Sequence, residues 1–304
     1  MDAQMKAFNP EPGKAEFLEA SVQRVLAPNP SPMTFRGTNT YLVGTKDIAV
    51  IDPGPTSEPH LEAIMRALSP EQSISHIVVT HAHLDHSPLA ARLAQETDAK
   101  IYGFGGPKAG RSTVMQSLAD AGLAGGGEGV DEAFSPDVTV ADGDVIAGTD
   151  WRLEVLHTPG HFGNHISLAL DDICFCGDHV MGWASSLVSP PDGDLTDFMM
   201  SCEKLRARPW RVFHPGHGAP VEDPKARLSW LIEHRKGRER EIVHALQAAP
   251  ATAKALAAQI YTDTPQALLP AAERNVFAHL IDLVGKNVAC SKGSLCEGAM
   301  FELL

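Results

Sequence analysis

His81, His83, Asp85 and His86 crowd three imidazoles and a carboxylate into six residues, directly behind the apolar run Ile77-Val78-Val79. Such a run reads as a short buried strand. Ser87-Pro88 beyond the cluster reads as a helix cap followed by proline at the first helical position. The cluster therefore occupies a strand-to-helix turn, where side chains converge on one point. His81 and His83 are two apart in extended chain, so they project to one side and can share a metal ion. Asp85 and His86 lie beyond the turn and can face a second one. A polar turn that is histidine-rich by chance would have no matching ligands elsewhere, and this chain has them.

The matching residues follow one local grammar. Trp151-Arg-Leu-Glu-Val-Leu156 alternates like a half-buried strand and runs into His157-Thr158-Pro159-Gly160-His161. Ile173-Cys-Phe-Cys176 ends in Gly177-Asp178-His179, and Trp210-Arg-Val-Phe213 ends in His214-Pro215-Gly216-His217-Gly218. Each apolar strand stops at a glycine turn that carries a histidine or aspartate. Glycine lets backbone come close to a metal centre, and turns at strand ends aim side chains into one cleft.

Taken in order, His81, His83, Asp85 and His86, then His161, Asp178 and His217, resemble the metal motif of the metallo-β-lactamase superfamily. The resemblance implies an α/β fold, the αββα metallo-β-lactamase sandwich. It also implies that His81, His83 and His161 hold one metal, that Asp85, His86 and His217 hold the other, and that Asp178 bridges both. Five imidazoles and two carboxylates suit two Zn²⁺ per chain, each with a position open for water, and Mn²⁺ or Fe suits the same set. Two metals about 3.5–4 Å apart can share a hydroxide that attacks a carbonyl carbon or a phosphorus atom. Asp85 could then guide the departing proton, so Asp85 and Asp178 are the expected catalytic carboxylates. His165 and His179 are the nearest candidates for protonating a leaving group. The set resembles the glyoxalase II and RNase Z type of site; class B β-lactamases place a cysteine where this chain has Asp178.

Residues around the motif are candidates for support. Asp52 ends an early strand in Ile51-Asp52-Pro53-Gly54 and is expected to hold the metal shell rather than bind metal. Asn39 lies in the tight segment Gly37-Thr38-Asn39-Thr40. His165 follows His161 by four residues and is weighed between substrate contact and packing. His157, His179 and His214 flank ligand positions and could fix a ligand's tautomer, or be ordinary turn and core histidines. His60, His76, His234, His244 and His279 have no metal partner by spacing.

A chain of 304 residues can bury a sizeable core and holds one large domain plus a small one. It contains no run of about 18 apolar residues, so no membrane span is expected. Its first residues, Met1-Asp-Ala-Gln-Met-Lys6, lack the basic and apolar regions of an export signal. A cytoplasmic location is expected, which counts against antibiotic hydrolysis. The five cysteines form no Cys-x-x-Cys pair, and free, mostly buried thiols are expected. A helix is predicted over 57–68. Residues 103–135 read as a long glycine-rich insertion, including Gly125-Gly126-Gly127, with a weak helix over 112–121. Residues 181–194 follow Asp178 at once and should wall the active site.

Composition shifts near His234, dividing the chain into a catalytic domain over 1–232 and a second domain over 233–304. A charged helical stretch, a helix capped by Thr252 and ending near Ile260, a third helix over 270–284 and a closing hairpin make a winged helix. Because all seven candidate ligands precede residue 218, deleting this module is expected to leave the metal site intact, at some cost in stability because the helix from Pro224 should pack on both domains. The segment Asn29–Gly44, with Ile260–Pro265 and Asn275–Leu280, resembles the β-lactamase-like protein 2 branch of the superfamily, an endoribonuclease family. Ser87-Pro88 departs from the small residue and Gly-Gly pair of many superfamily members, which puts glyoxalase-like substrate choice further in doubt.

The resemblance thus implies a dinuclear hydrolase of RNA phosphodiesters. A thioester or lactone hydrolase acting on a small metabolite, glyoxalase II-like, is the alternative. A winged-helix nucleic-acid-binding regulator is the alternative from another class, and a homodimer is an expectation if the module serves dimerisation. Charge does not favour RNA. From His234 onward eight Lys and Arg face seven Asp and Glu, leaving 17 basic against 31 acidic residues before it. Nucleic-acid binders draw on a basic surface. Arg235-Lys236-Arg238-Arg240 is interrupted by glutamate, and Arg274 is the only cation early in the third helix.

Overall fold

In the computed structural model, residues 7–126 and 129–304 are described; the first six residues and Gly127, both drawn on above, lie outside them. The alternating apolar segments of the first half form a seven-stranded sheet in chain order: β1 (Ala15–Glu19), β2 (Val22–Leu26), β3 (Asn39–Val43), β4 (Asp47–Ile51), β5 (Ser73–Val78), β6 (Lys100–Gly103) and β7 (Val138–Thr139). The first four strands pair antiparallel and the rest parallel. Parallel neighbours need a crossover, supplied by α1 (Glu58–Arg66) and α2 (Leu89–Thr97). Ser57 caps α1 by accepting the His60 N–H at 3.3 Å, with Pro59 in the first turn. The expected cap at Ser87 does not form. Pro88 takes the N-cap position of α2, and the Ser87 hydroxyl turns to His83 O (3.1 Å) and Asp131 Oδ2 (2.7 Å).

The second sheet is built from β8 (Val145–Ala147), β9 (Arg152–His157), β10 (Ile166–Leu170), β11 (Ile173–Gly177) and β12 (Val212–Pro215). Its strands are antiparallel except the parallel pair β11–β12, joined through α4 (Leu195–Arg206). β11 is buried along its whole length, as a strand covered on both faces must be. Its two faces divide the core. Phe175 meets Tyr41, Ile51 and Val78 of the first sheet, while Cys174 and Cys176 face Phe198 and Cys202 of α4. With α1 and α2 packed outside the first sheet, the layers are αββα. All five thiols are free, three of them buried.

The insertion is held at both ends of its course rather than lying loose. Its helix α3 (Thr113–Asp120), capped by Ser112, sends Met115 and Leu118 into the C-terminal core. Its last part runs beside the metal turn, with Leu84 N–H donating to Gly129 O (3.0 Å) and Asp131 N–H to Ala82 O (2.9 Å).

The C-terminal module follows one long helix, α5 (Pro224–Ala248), which passes without a break through the composition change near His234. Leu228, Leu231 and Ile232 of α5 belong to the core of the second sheet, and Ile242, Ala245 and Leu246 to the core of the winged helix. β13 (Ala251–Thr252), α6 (Ala253–Ile260), α7 (Leu269–Gly285), β14 (Ala289–Lys292) and β15 (Met300–Leu303) complete the module, with Thr252 capping α6 as expected. The module is not set apart from the catalytic layers. Ala278 of α7 packs into the second-sheet core, and most of α7 from Val276 to Leu283 is buried. Arg235 donates to Asn275 Oδ1 (2.9 Å) and to Ser186 O, and Asn275 Oδ1 also accepts the Val188 N–H (3.2 Å). α5 shares its apolar face between the two cores, as expected of the helix from Pro224, while the clustered ligands all lie before it. No described helix is long and apolar enough to cross a membrane.

Candidate metal centre

Four strand ends deliver the seven motif residues to one point. β5 leads into His81–His86, β9 into His161, β11 into Asp178 and β12 into His217, while β3 and β4 bring Asn39 and Asp52 from behind. Two clusters result: His81, His83 and His161, and Asp85, His86, Asp178 and His217, all buried. In the first, His83 Nδ1 lies 2.9 Å from His81 Nε2 and 3.2 Å from His161 Nε2. In the second, His217 Nε2 is 3.0 Å from Asp85 Oδ2 and 3.3 Å from His86 Nε2. Asp178 faces both: its Oδ2 is 3.2 Å from His217 Nε2 and 3.8 Å from His161 Nε2, and its Oδ1 is 3.5 Å from His86 Nε2.

These residues fit metal ions. Ligands about 2.0–2.1 Å from a tetrahedral zinc stand roughly 3.3 Å apart, which is the spacing of the facing nitrogens. Both Asp85 oxygens and Asp178 Oδ1 are buried without a directed hydrogen bond. Buried carboxylates are costly unless a cation takes up their charge.

Behind the ligands, the turned-away ring nitrogens of His81, His86, His161 and His217 each have an acceptor, which fixes tautomer and orientation. His86 Nδ1 is 2.9 Å from Asp52 Oδ2, His161 Nδ1 is 2.7 Å from Leu187 O, and His217 Nδ1 is 3.1 Å from Gly37 O. Thr80 Oγ1 donates to Asp52 Oδ2 (2.7 Å) and so is free to accept from His81 Nδ1 at 3.0 Å. Asp52 thereby orients His86 directly and His81 through Thr80. Asn39 donates both Nδ2 protons, to Pro215 O and Gly218 O at 2.9 Å, and pins the turn that presents His217.

The remaining candidates divide. His165 is fully buried, with Nδ1 2.9 Å from Thr158 Oγ1 and Nε2 accepting the Asp178 N–H at 3.2 Å. It holds the Asp178 backbone from behind. His179 is fully buried between Phe198 and Cys202. Neither faces the cleft, so neither is placed to protonate a leaving group, contrary to expectation. His157 stacks on Phe104 and His214 lies between Tyr41 and Phe175, away from the ligands. Thr80 and the carbonyls of Gly37 and Leu187 escaped the sequence reading. A carbonyl has no side-chain signature, and Thr80 had only its place before His81.

Electrostatics separates the two clusters. Burial, then the neighbouring imidazoles, hold His81 well below its ordinary pKa and His83 at about 3. Burial lowers His161 as well, against the pull of Asp178. These three are neutral and ready as donors. Burial would also depress His86 and His217, but the carboxylates facing them outweigh it, raising His86 well above the usual range and His217 to about 10. The same pairs hold Asp85 and Asp178 well below the carboxylate range against the effect of burial. The second cluster without metal is thus a set of ion pairs, and metal binding must displace its protons.

Beside the centre, the 181–188 segment and α7 enclose two adjoining recesses of about 200 and 450 Å³. They share Pro32, Met33, Leu187, Leu268 and Ala271. The Leu187 carbonyl is the one that accepts from His161. A larger recess of about 620 Å³ near Glu11, Lys14 and Arg66 touches none of the clustered ligands.

The family model of the metallo-β-lactamase superfamily matches residues 33–231, and that of the β-lactamase associated winged helix domain matches residues 252–294. A β-lactamase-like protein 2 homolog of Drosophila melanogaster is 33% identical over 281 residues, which is 88% of each chain. An atrochrysone carboxyl ACP thioesterase of Aspergillus fumigatus is 29% identical over 246 residues, 78% of this chain and 69% of that one. A β-lactamase domain protein of Burkholderia ambifaria has the same fold, with a TM-score of 0.79 at 20% identity, over 98% of this chain and 96% of that one. The chain therefore belongs to the metallo-β-lactamase superfamily of metal-dependent hydrolases, in the branch that carries a C-terminal winged helix.

Proposed function

We propose that the protein is a dinuclear zinc hydrolase of small acyl substrates, with thioesters as the leading class and lactones as close relatives. The observation that carries this reading is the apolar recess beside His161, walled by Met33, Met181, Leu187, Leu268 and Ala272. A mostly apolar pocket with few polar groups suits a hydrocarbon acyl part; a polyanion needs cations that this recess lacks. Trp183 Nε1, buried and without a partner, is a donor on its wall available to a substrate oxygen. His81, His83 and His161 would hold one zinc ion, Asp85, His86 and His217 the other, with Asp178 between them. When bound, the pair supplies Lewis acidity and lowers the pKa of water from ~15.7 to about 7. The chain's own contribution is placement. Asp52 and Thr80 fix two rings, the Leu187 carbonyl fixes a third beside the recess, and Asp85 is a carboxylate able to hold the attacking water's proton.

Phosphodiester hydrolysis of RNA is the second reading, favoured by the similarity over most of the chain to a β-lactamase-like protein 2 homolog. Against it stand the surroundings of α7. A winged helix that reads a nucleic-acid groove needs its third helix free, whereas α7 is packed on the catalytic layers and Arg274 is spent on Ala124 O and Pro190 O at 2.8 Å. The test is turnover by zinc-loaded protein on a short-chain acyl thioester and on single-stranded RNA. Thioester turnover that exceeds RNA cleavage by about 100-fold or more is expected, since one poorly matched charge set costs several kcal/mol. RNA cleavage without thioester turnover would overturn the proposal in favour of the second reading.

A further inference from the structure

On the side of the domain junction away from the apolar recess, α4, α5 and α7 enclose a pocket of about 400 Å³. Its lining includes two buried polar groups with nothing to bind. His279 is 1% exposed, and neither of its ring nitrogens has a partner. Arg235 is 2% exposed and spends its Nη atoms on Asn275 and Ser186, which leaves its Nε–H without an acceptor. Buried donors left unmet cost about 1–3 kcal/mol each, so two in one cavity point to an acceptor that enters it. The volume is an order of magnitude above the ~30 Å³ of a water molecule and within the roughly 300–1,000 Å³ range of ligand pockets.

Charge and shape select the ligand further. Lys286 is neutralised by Glu239 and Asp282 at 2.7 Å each, and Asp282 also accepts from Thr196. Lys236 makes only an exposed contact with Glu233 at 3.5 Å, and Arg240 has no carboxylate partner among the described residues. The pocket therefore keeps positive charge in a protein of net charge −13. Its opposite wall, Leu195, Met199 and Met200, is apolar, with Met200 66% exposed.

We propose that this pocket is a second binding site, which takes a small organic carboxylate with a short aliphatic tail. The carboxylate accepts from His279 and from Arg235 Nε–H, Arg240 and Lys236 face it from the rim, and the tail lies along Leu195 and the methionines. The site is independent of which bond the metal centre cleaves.

The experiment is calorimetric titration of hexanoate into the zinc-loaded full-length protein, the His279→Leu variant and the Arg240→Glu variant. Saturable binding of one hexanoate per chain is expected, weakened about tenfold or more in each variant, as loss of a charge-assisted hydrogen bond or reversal of a rim charge requires. Turnover of a chromogenic ester by Arg240→Glu is expected to match that of the unaltered protein. If His279→Leu does not fold, Arg240→Glu decides alone. Equal affinity in the variants would place the carboxylate on the metals and overturn the proposal, as would absence of saturable binding. Inorganic phosphate displacing hexanoate at equal concentration would overturn the aliphatic assignment by showing a site that reads charge alone.

Discussion

Asp52 binds no metal ligand position itself, yet two of the ligand rings depend on it. It adopts a left-handed backbone conformation (φ 50°), which aspartate tolerates better than most residues. From there its Oδ1 accepts the Thr80 N–H and its Oδ2 meets His86 and the Thr80 hydroxyl. Asp52→Ala is expected to lower metal affinity by about 10–100-fold, measured by competition with a chromogenic chelator; unchanged affinity would remove Asp52 from the support of His86. Asp178→Ala is expected to abolish hydrolysis with loss of bound metal, because Asp178 alone faces both clusters. Cys176→Ser is expected to be nearly silent in turnover. Its thiol is buried toward α4, donates to Val180 O at 3.1 Å, and is raised far from thiolate chemistry chiefly by burial. Loss of activity in Cys176→Ser with metal retained would demand a catalytic thiol. Gly216 leaves no room for a side chain beside the ligands, since a Cβ there would stand 2.3 Å from Asp178 Oδ1 and 2.7 Å from His86 Cε1.

The ligand-bearing turns were legible in the sequence because each follows an apolar strand, three of them at a glycine and the first at its own histidine cluster, a local signal that needs no knowledge of the partner strand. The helix starts at Ser57 and Ser112 and the cap at Thr252 were legible as equally local signals. Ser87 was misread because its competing acceptor, Asp131, arrives from 44 residues away. The reach of α5 from Pro224 into both domains was legible, since its face toward both cores is apolar at Leu228, Leu231, Ile232, Ile242 and Leu246 although the intervening run is polar. The tie between α7 and the 186–188 segment had no signature, since Asn275 and Arg235 meet only backbone groups there, the Val188 N–H and the Ser186 carbonyl. That tie can be tested. Asn275→Ala leaves the Val188 N–H and one Arg235 donor unmet, and should cost about 2–4 kcal/mol in urea unfolding. A loss below about 0.5 kcal/mol would mean that water replaces it. Ala271 lines both apolar recesses and is half-buried, so Ala271→Trp should fill them. Thioester turnover is expected to fall at least about tenfold, a methylene-sized mismatch already being worth 1–3 kcal/mol, with metal content unchanged. Equal turnover would separate the recesses from substrate binding.

The molecule as a whole carries its histidines mainly inside, and this sets its response to acid. Apart from the ligands, burial holds His60 and His214 at about 4 and His179 at about 3, against an ordinary value of 6.5. A depressed pKa means that the fold keeps these rings neutral while the unfolded chain protonates them below about 6.5. Their contribution to stability is therefore whole above pH 6.5 and is lost as pH falls toward 4. Each loses about 1.4 kcal/mol per pH unit in that window, so the three together approach 10 kcal/mol, the size of a typical domain's total stability. His217 has the opposite sign. Raised to about 10, it stabilises the metal-free fold fully below 6.5, and that contribution fades as pH rises from 6.5 and is gone by about 10, outside the acid window. Asp85 and Asp178, depressed below the carboxylate range, begin to count only under about pH 4. Metal-free protein is accordingly expected to unfold in acid before pH 4, with a steep decline in urea-unfolding free energy beginning near pH 6.5. His214→Phe isolates one member. Its ring lies 5.5 Å from both Tyr41 and Phe175, and both of its nitrogens are buried without partners, so an apolar ring suits the place. The variant should shed about one proton's worth of slope, roughly 1.4 kcal/mol per pH unit, while keeping its stability at neutral pH. A slope identical to that of the unaltered protein would show that His214 takes up its proton inside the fold, and that the acid transition belongs to other groups.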